Sequence, residues 1–128
     1  MRKLRSINDK RLTWTLTAEP EEVSIEGNAS AWGEPEDSEY AAKIRAQLDT
    51  GNEWAWCCVA VRVQFETETG EAFEGVDYLG CCSYRSERDF RRGGYLPQMR
   101  EAAFDDLRMN MGHAIARGNA ANSAFATA

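Results

Sequence analysis

The sequence predicts an α+β fold. The expected form is one domain with an antiparallel sheet of about four strands, ordered β-β-α-β-β-α, and helices on one sheet face. Three patterns predict it. A short alternating run, LTWTLTA, sets Leu12, Trp14 and Leu16 against threonines, the period of a half-buried strand. A longer one, 55–65, turns at TETG and returns over 72–82, which is a hairpin. Two apolar stripes at helical spacing, Tyr40/Ile44/Leu48 and Met99/Ala103/Leu107/Met111/Ala114, call for helices with one buried face each.

Taken in order, residues 1–11 form a basic leader and 12–18 the first strand. Pro20 turns the chain, and Val23 and Ile25 alternate as a short second strand. GNASAWGEPED is loop. Asp37 or Ser38 is placed to cap a helix over 38–50, stopped at Gly51. In the next strand Cys57, Val59, Val61, Val63 and Phe65 share one face, while Trp56, Cys58, Ala60 and Arg62 share the other. The return strand has mixed parity, with Phe73 and Leu79 on one face and Val76 and Tyr78 on the other, so a bulge is expected near Gly75. Ser86 caps a short helix, with Asp89 three residues on. Pro97 opens a longer helix to about Arg117, and 118–128 is expected as a flexible tail beyond the 12–117 domain.

Composition narrows function by exclusion. The chain has 128 residues and a net charge of -6, long enough to bury a core and too acidic for wholesale binding along a nucleic-acid backbone. Direct nucleic-acid binding is therefore disfavoured. No apolar run approaches the ~20 residues of a membrane helix, and the leader lacks a signal-peptide core. The expected location is cytoplasmic, with no membrane partner. Charge is segregated along the chain: 19–39 carries only acids, as does 66–77, whereas arginines gather at Arg85, Arg88, Arg91 and Arg92.

The cysteines come as two doublets, Cys57-Cys58 and Cys81-Cys82, with no spacer. Adjacent strand residues point to opposite faces, so a doublet cannot close on one zinc ion as a spaced pair does. They are expected to be reduced packing residues, with Cys57 opposite Cys81 and both contributing to the core. A thiol nucleophile wants a histidine base, and the chain has only His113, near the end of the last helix. No phosphate-cradling glycine loop is present. The expectation is a protein without enzymatic activity, cofactor or metal.

From EVSIEGNASAWGEPED through DYLGCCSYRSERDFRRGGYLPQMREAAFDDL, the chain resembles a group of small proteins of phages and other mobile elements. The similar parts are Gly27-Asn28-Ala29, Trp54-Ala55-Trp56-Cys57, Leu79-Gly80-Cys81-Cys82-Ser83-Tyr84 and Asp89-Phe90, within residues 23–110. The resemblance implies a setting, a mobile-element accessory gene, and carries no site residue with it. Small acidic proteins in that setting include inhibitors of host defence of the anti-CRISPR and antirestriction kinds. Carboxylates can occupy a basic groove built to hold DNA. The expected contact residues are Glu26, Trp32, Glu34, Glu36, Asp37, Glu39, Glu68, Glu71 and Glu74. The expected partner is a host protein or ribonucleoprotein complex with a basic groove. Alternatives are an accessory nucleic-acid-binding module using Arg85–Arg92 and a structural module that forms a homodimer.

Overall fold

The computed structural model describes residues 11–127, with side chains through Ile115. The leader at 1–10 and the side chains of the expected tail lie outside the described residues. The fold is α+β. Strands β1 (Leu12–Glu19), β2 (Cys57–Glu66) and β3 (Ala72–Cys82) form an antiparallel sheet in the order β1-β2-β3. Helix α1 (Glu36–Asp49) and a 3₁₀ turn (Glu53–Ala55) separate β1 from β2, and α2 (Glu87–Arg92) and α3 (Leu96–Thr127) follow β3. Among the described residues no helix is long and apolar enough to cross a membrane.

Two compact units divide the packing. One takes β1 up to Thr15, then Val61–Asp77 and the chain from Met99. The other takes Leu16–Ala60 with Tyr78–Gln98.

In the first unit, β2 turns into β3 through Thr67. Gly70 N donates to Thr67 O at 3.0 Å, and Thr67 N donates to Glu71 O at 2.8 Å. Gly70 has φ +88°, the left-handed position such a turn requires. The register set there pairs Gln64 with Glu74, whose side chains hydrogen-bond at 3.0 Å. Val61, Val63 and Phe65 are buried, as the alternation predicts. Helix α3 buries Met99, Ala103, Phe104 and Leu107, so the expected stripe holds as far as Leu107, while Met111 and Ala114 are half-buried. The helix backbone continues to Thr127, past the expected end near 117.

Helix α3 meets β3 at Gly75. A Cβ there would stand 2.0 Å from Ala103 O and 2.3 Å from Leu107 N, so only glycine permits the approach. Two helix side chains also satisfy backbone groups of β3. Asp106 Oδ2 accepts from Val76 N at 3.0 Å, and Asn110 Nδ2 donates to Glu74 O at 2.7 Å. Because β3 is an edge strand, those groups would otherwise stay open to pairing. Trp14, expected to point inward, is 37% exposed, with the Arg100 guanidinium 5.1 Å over its ring.

In the second unit, Ile25, Ala41, Ile44, Ala55 and Trp56 form one apolar cluster, with Ala29 and Leu48 against it. The expected strand at Val23–Ile25 does not form, and among the described residues the sheet has three strands rather than four. Ile25 is buried, but its segment is held otherwise: Trp56 Nε1 donates to Val23 O at 2.9 Å, and Asn28 N turns back onto Ile25 O. A second cluster stacks Phe90 of α2 on Trp54, with centroids 5.6 Å apart, and edge-on against Tyr84 at 5.1 Å. Ser86 caps α2 as expected, its hydroxyl accepting from Asp89 N at 3.1 Å.

The irregularity in β3 falls at Cys81, not at Gly75. Residues 73, 75, 77 and 79 keep one parity, and then Cys81, at φ +53°, breaks it. Cys81 is consequently exposed and Cys82 takes the buried place, which corrects the expectation that Cys81 packs in the core.

Candidate functional site

Helix α1 begins at Glu36 behind Pro35, without a side-chain cap. Neither Asp37 nor Ser38 acts as the expected N-cap. Ser38 Oγ instead donates to Glu34 Oε2 at 2.6 Å. Asp37, in the first turn, reaches back to the preceding loop. Its Oδ2 accepts from Gly27 N at 2.7 Å, and its Oδ1 from Ala29 N at 2.8 Å and Ser30 N at 3.1 Å. A buried carboxylate is tolerable only when its oxygens are filled this way, and Asp37 is 4% exposed. It is a fastener for the loop and not a contact surface, a correction to its expected role.

Beyond that fastener, Trp32 stands 82% exposed. An indole left in water has an unspent apolar face, the usual anchor of a protein interface. Glu34 and Glu39 are exposed beside it in the chain, and Glu36 is half-buried.

The acid tracts, unopposed in sequence, are partly answered in space. Glu26 binds Arg45 in a two-pronged pair, at 2.6 Å to Nε and 2.8 Å to the terminal nitrogen. Arg45 draws the Glu26 carboxyl down to about 2. In the other unit, Glu68 faces Arg11 at 3.4 Å, and Glu74 meets both Arg62 and Gln64. Glu71 is exposed in the hairpin turn. Glu21, not singled out from the sequence, accepts from Cys81 N at 2.5 Å and Val23 N at 3.2 Å. The Cys81 amide first and the Val23 amide second lower its carboxyl below the ordinary range.

The arginine segment is partly neutralised by the acids of α2. Arg91 pairs with Glu87 at 3.1 Å, and Arg85 lies 3.9 Å from Asp89. His113 is exposed on α3. Burial pushes the thiol of Cys57 up to about 12 and that of Cys82 up to about 11. Both remain protonated at neutral pH and donate to carbonyls, Cys57 to Trp54 O and Cys82 to Leu79 O. Thiols held this way pack and do not attack. Among the described residues no three histidine, cysteine or acidic side chains are grouped to hold a metal ion.

A second feature escaped sequence reasoning. A cleft of about 380 Å³ opens along α1, lined by Tyr40, Lys43, Ile44 and Gln47. That spacing is one helix face. The stripe 40/44/48 was expected as core, but Tyr40 is 45% exposed and faces the cleft instead. Ser83, Tyr84 and Arg85 line it as well, with Ala29 and Ala55. The signal available in the sequence was the arginine-bearing run after the second cysteine doublet, which lacked a partner wall.

Compared with protein-family models, with curated proteins and with solved structures, the chain matches none.

Proposed function

We propose that the protein is a non-enzymatic, cytoplasmic binding protein of the anti-defence kind carried by mobile elements. It docks on a basic surface of a host nucleic-acid-handling complex through the loop entering α1. The observation that carries this reading is Trp32, 82% exposed on a loop whose base is fixed by three hydrogen bonds to the buried Asp37. A pre-ordered aromatic anchor loses little entropy on docking. Glu34, Glu36 and Glu39 supply a negative rim, which steers association with a basic partner. Broad charge mimicry of DNA is the weaker form of the idea, since Glu26, Asp37, Glu68 and Glu74 are spent on internal partners.

The test is capture of the partner from host lysate, followed by kinetics with the purified complex. Trp32→Ala should weaken binding by about thirtyfold or more, the effect of losing a central aromatic anchor. Reversing Glu34, Glu36 and Glu39 to lysine should slow association, as should added salt, whereas Arg88→Glu with Arg91→Glu should change little. Duplex DNA should compete for the partner. Tight binding of duplex DNA by the wild-type chain itself at physiological salt would replace this reading with an accessory nucleic-acid module.

A further inference from the structure

We propose that the cleft along α1 is a binding site for a small planar anion, an aromatic ring carrying a phosphate, of which a mononucleotide is the simplest probe. Its volume, about 380 Å³, lies in the range of small-molecule sites. Its charge is the reverse of the molecule's. On a chain of net charge -6, the cleft is lined by two cationic residues, Lys43 and Arg85, against one acid, Asp89. Neither is strongly engaged among the described residues. Lys43 lies 5.7 Å over the Tyr40 ring, and Arg85 is 91% exposed with a 3.9 Å approach to Asp89, a pair of little worth in water.

The wall bearing Arg85 is built in advance. Tyr84 N donates to Trp54 O at 2.7 Å, and Tyr84 O accepts from Asn52 Nδ2 at 3.3 Å. Arg85 N donates to Asp89 Oδ2 at 3.0 Å. Asp89, the acid of the cleft, thus spends an oxygen on fixing the wall, beside the N-terminus of α2. Phe90 packs edge-on against the Tyr84 ring. The floor is apolar, from Ala29, Ile44 and Ala55. Tyr40 and Tyr84 supply aromatic lining for a flat body, Lys43 and Arg85 positive charge for its phosphate, and Gln47 and Ser83 hydrogen-bonding groups. An inorganic anion would leave the rings unused, and a neutral ring would leave the cations unused. The site uses none of Trp32, Glu34 and Glu39, so it stands apart from the docking reading.

The experiment titrates AMP, adenosine and inorganic phosphate into uniformly ¹⁵N-labelled full-length protein. Saturable shifts are expected for AMP at the amides of Lys43, Gln47, Tyr84 and Arg85. Adenosine and phosphate should each bind about tenfold more weakly or less, because each keeps half of the contacts. Lys43→Glu and Arg85→Glu, both at exposed positions, should each weaken AMP about tenfold while the remaining spectrum is unchanged. Tyr40→Ala should weaken AMP and leave phosphate alone. Absence of saturable AMP binding up to about 5 mM would overturn the proposal. So would phosphate binding as tightly as AMP, or AMP binding that both charge reversals leave intact.

Discussion

Gly75 and Asp37 fasten backbone to backbone by opposite means, one in each unit. At Gly75 the strand and helix α3 approach because a side chain is missing; the contact is steric and dry, with Ala103 and Leu107 fully buried opposite. At Asp37 a loop is gathered because a side chain is present, and one carboxylate replaces the water of three amides. The first device tolerates no added atom and ignores pH. The second depends on charge and on hydrogen-bond count. The contrast separates scaffold from surface: the steric joint sits under a helix, and the polar one holds the loop that carries the exposed Trp32.

The largest effect is therefore expected at Gly75. Gly75→Ala drives a methyl into main-chain atoms that cannot rotate away, so the helix must lift from the strand. The expected cost is more than about 3 kcal/mol, at the upper end for overpacking. Urea unfolding measures it, and a loss below about 1 kcal/mol would mean that the joint slides freely.

Next comes Asp37. Asp37→Ala strands the amides of Gly27, Ala29 and Ser30, at a cost of roughly 2–4 kcal/mol after the loop partly opens to water. Asp37→Asn keeps an acceptor and should lose about half as much. The distinguishing measurement is hydrogen exchange: the alanine variant should lose protection at 27–30 while residues 61–63 keep theirs. Uniform loss in both places would mean that the loop is not a separate fastening.

How much of this was legible follows from the range of each cause. Strand parity is local, so the buried face of β2 could be read directly, as could the stripe Met99/Ala103/Leu107 of α3. The alternation Val23/Ile25 was too short to decide, and an indole N–H from Trp56 took the carbonyl that a ladder would have used. Asp37 reads in sequence as an acid at a helix start, which is favourable in itself; its partners lie seven to ten residues back and emerge only when the loop closes. Charge tracts mislead for the same reason, since Arg45 and Arg62 reach Glu26 and Glu74 only in the folded chain. The cleft needed two distant segments to meet.

Smaller again is the difference within a cysteine doublet. Cys82→Ser puts a hydroxyl in place of a buried thiol and should cost about 1–2 kcal/mol. Cys81→Ser should be nearly neutral. Cys81→Gly should raise stability by about 0.5–1 kcal/mol, because φ +53° is a conformation that glycine adopts without a Cβ penalty. Equal losses for the two serine variants would contradict the parity break at Cys81.

The smallest effect is the pH response that the polar unit should have and the steric joint should lack. Glu26 has its carboxyl lowered from 4.5 to about 2 by the hydrogen bonds from Arg45. A group whose pKa is depressed on folding contributes stability above its unfolded pKa and loses it as pH falls through the folded value. The Glu26–Arg45 contribution is thus whole above about 4.5 and gone near 2. The pair is exposed, so its effect is small and weakens with salt. Glu21, lowered in the same direction by the Cys81 and Val23 amides, acts on the same side of pH. Hydrogen exchange from pH 5 downward, with intrinsic rates divided out, should show 23–28 loosening before 61–63. Glu26→Gln removes the titrating group while keeping its shape, so its profile should be flatter than wild type between about 4.5 and 2. Superimposable wild-type and Glu26→Gln profiles would show that the pair takes no part in fastening the loop, leaving that to Asp37 and the Trp56–Val23 hydrogen bond.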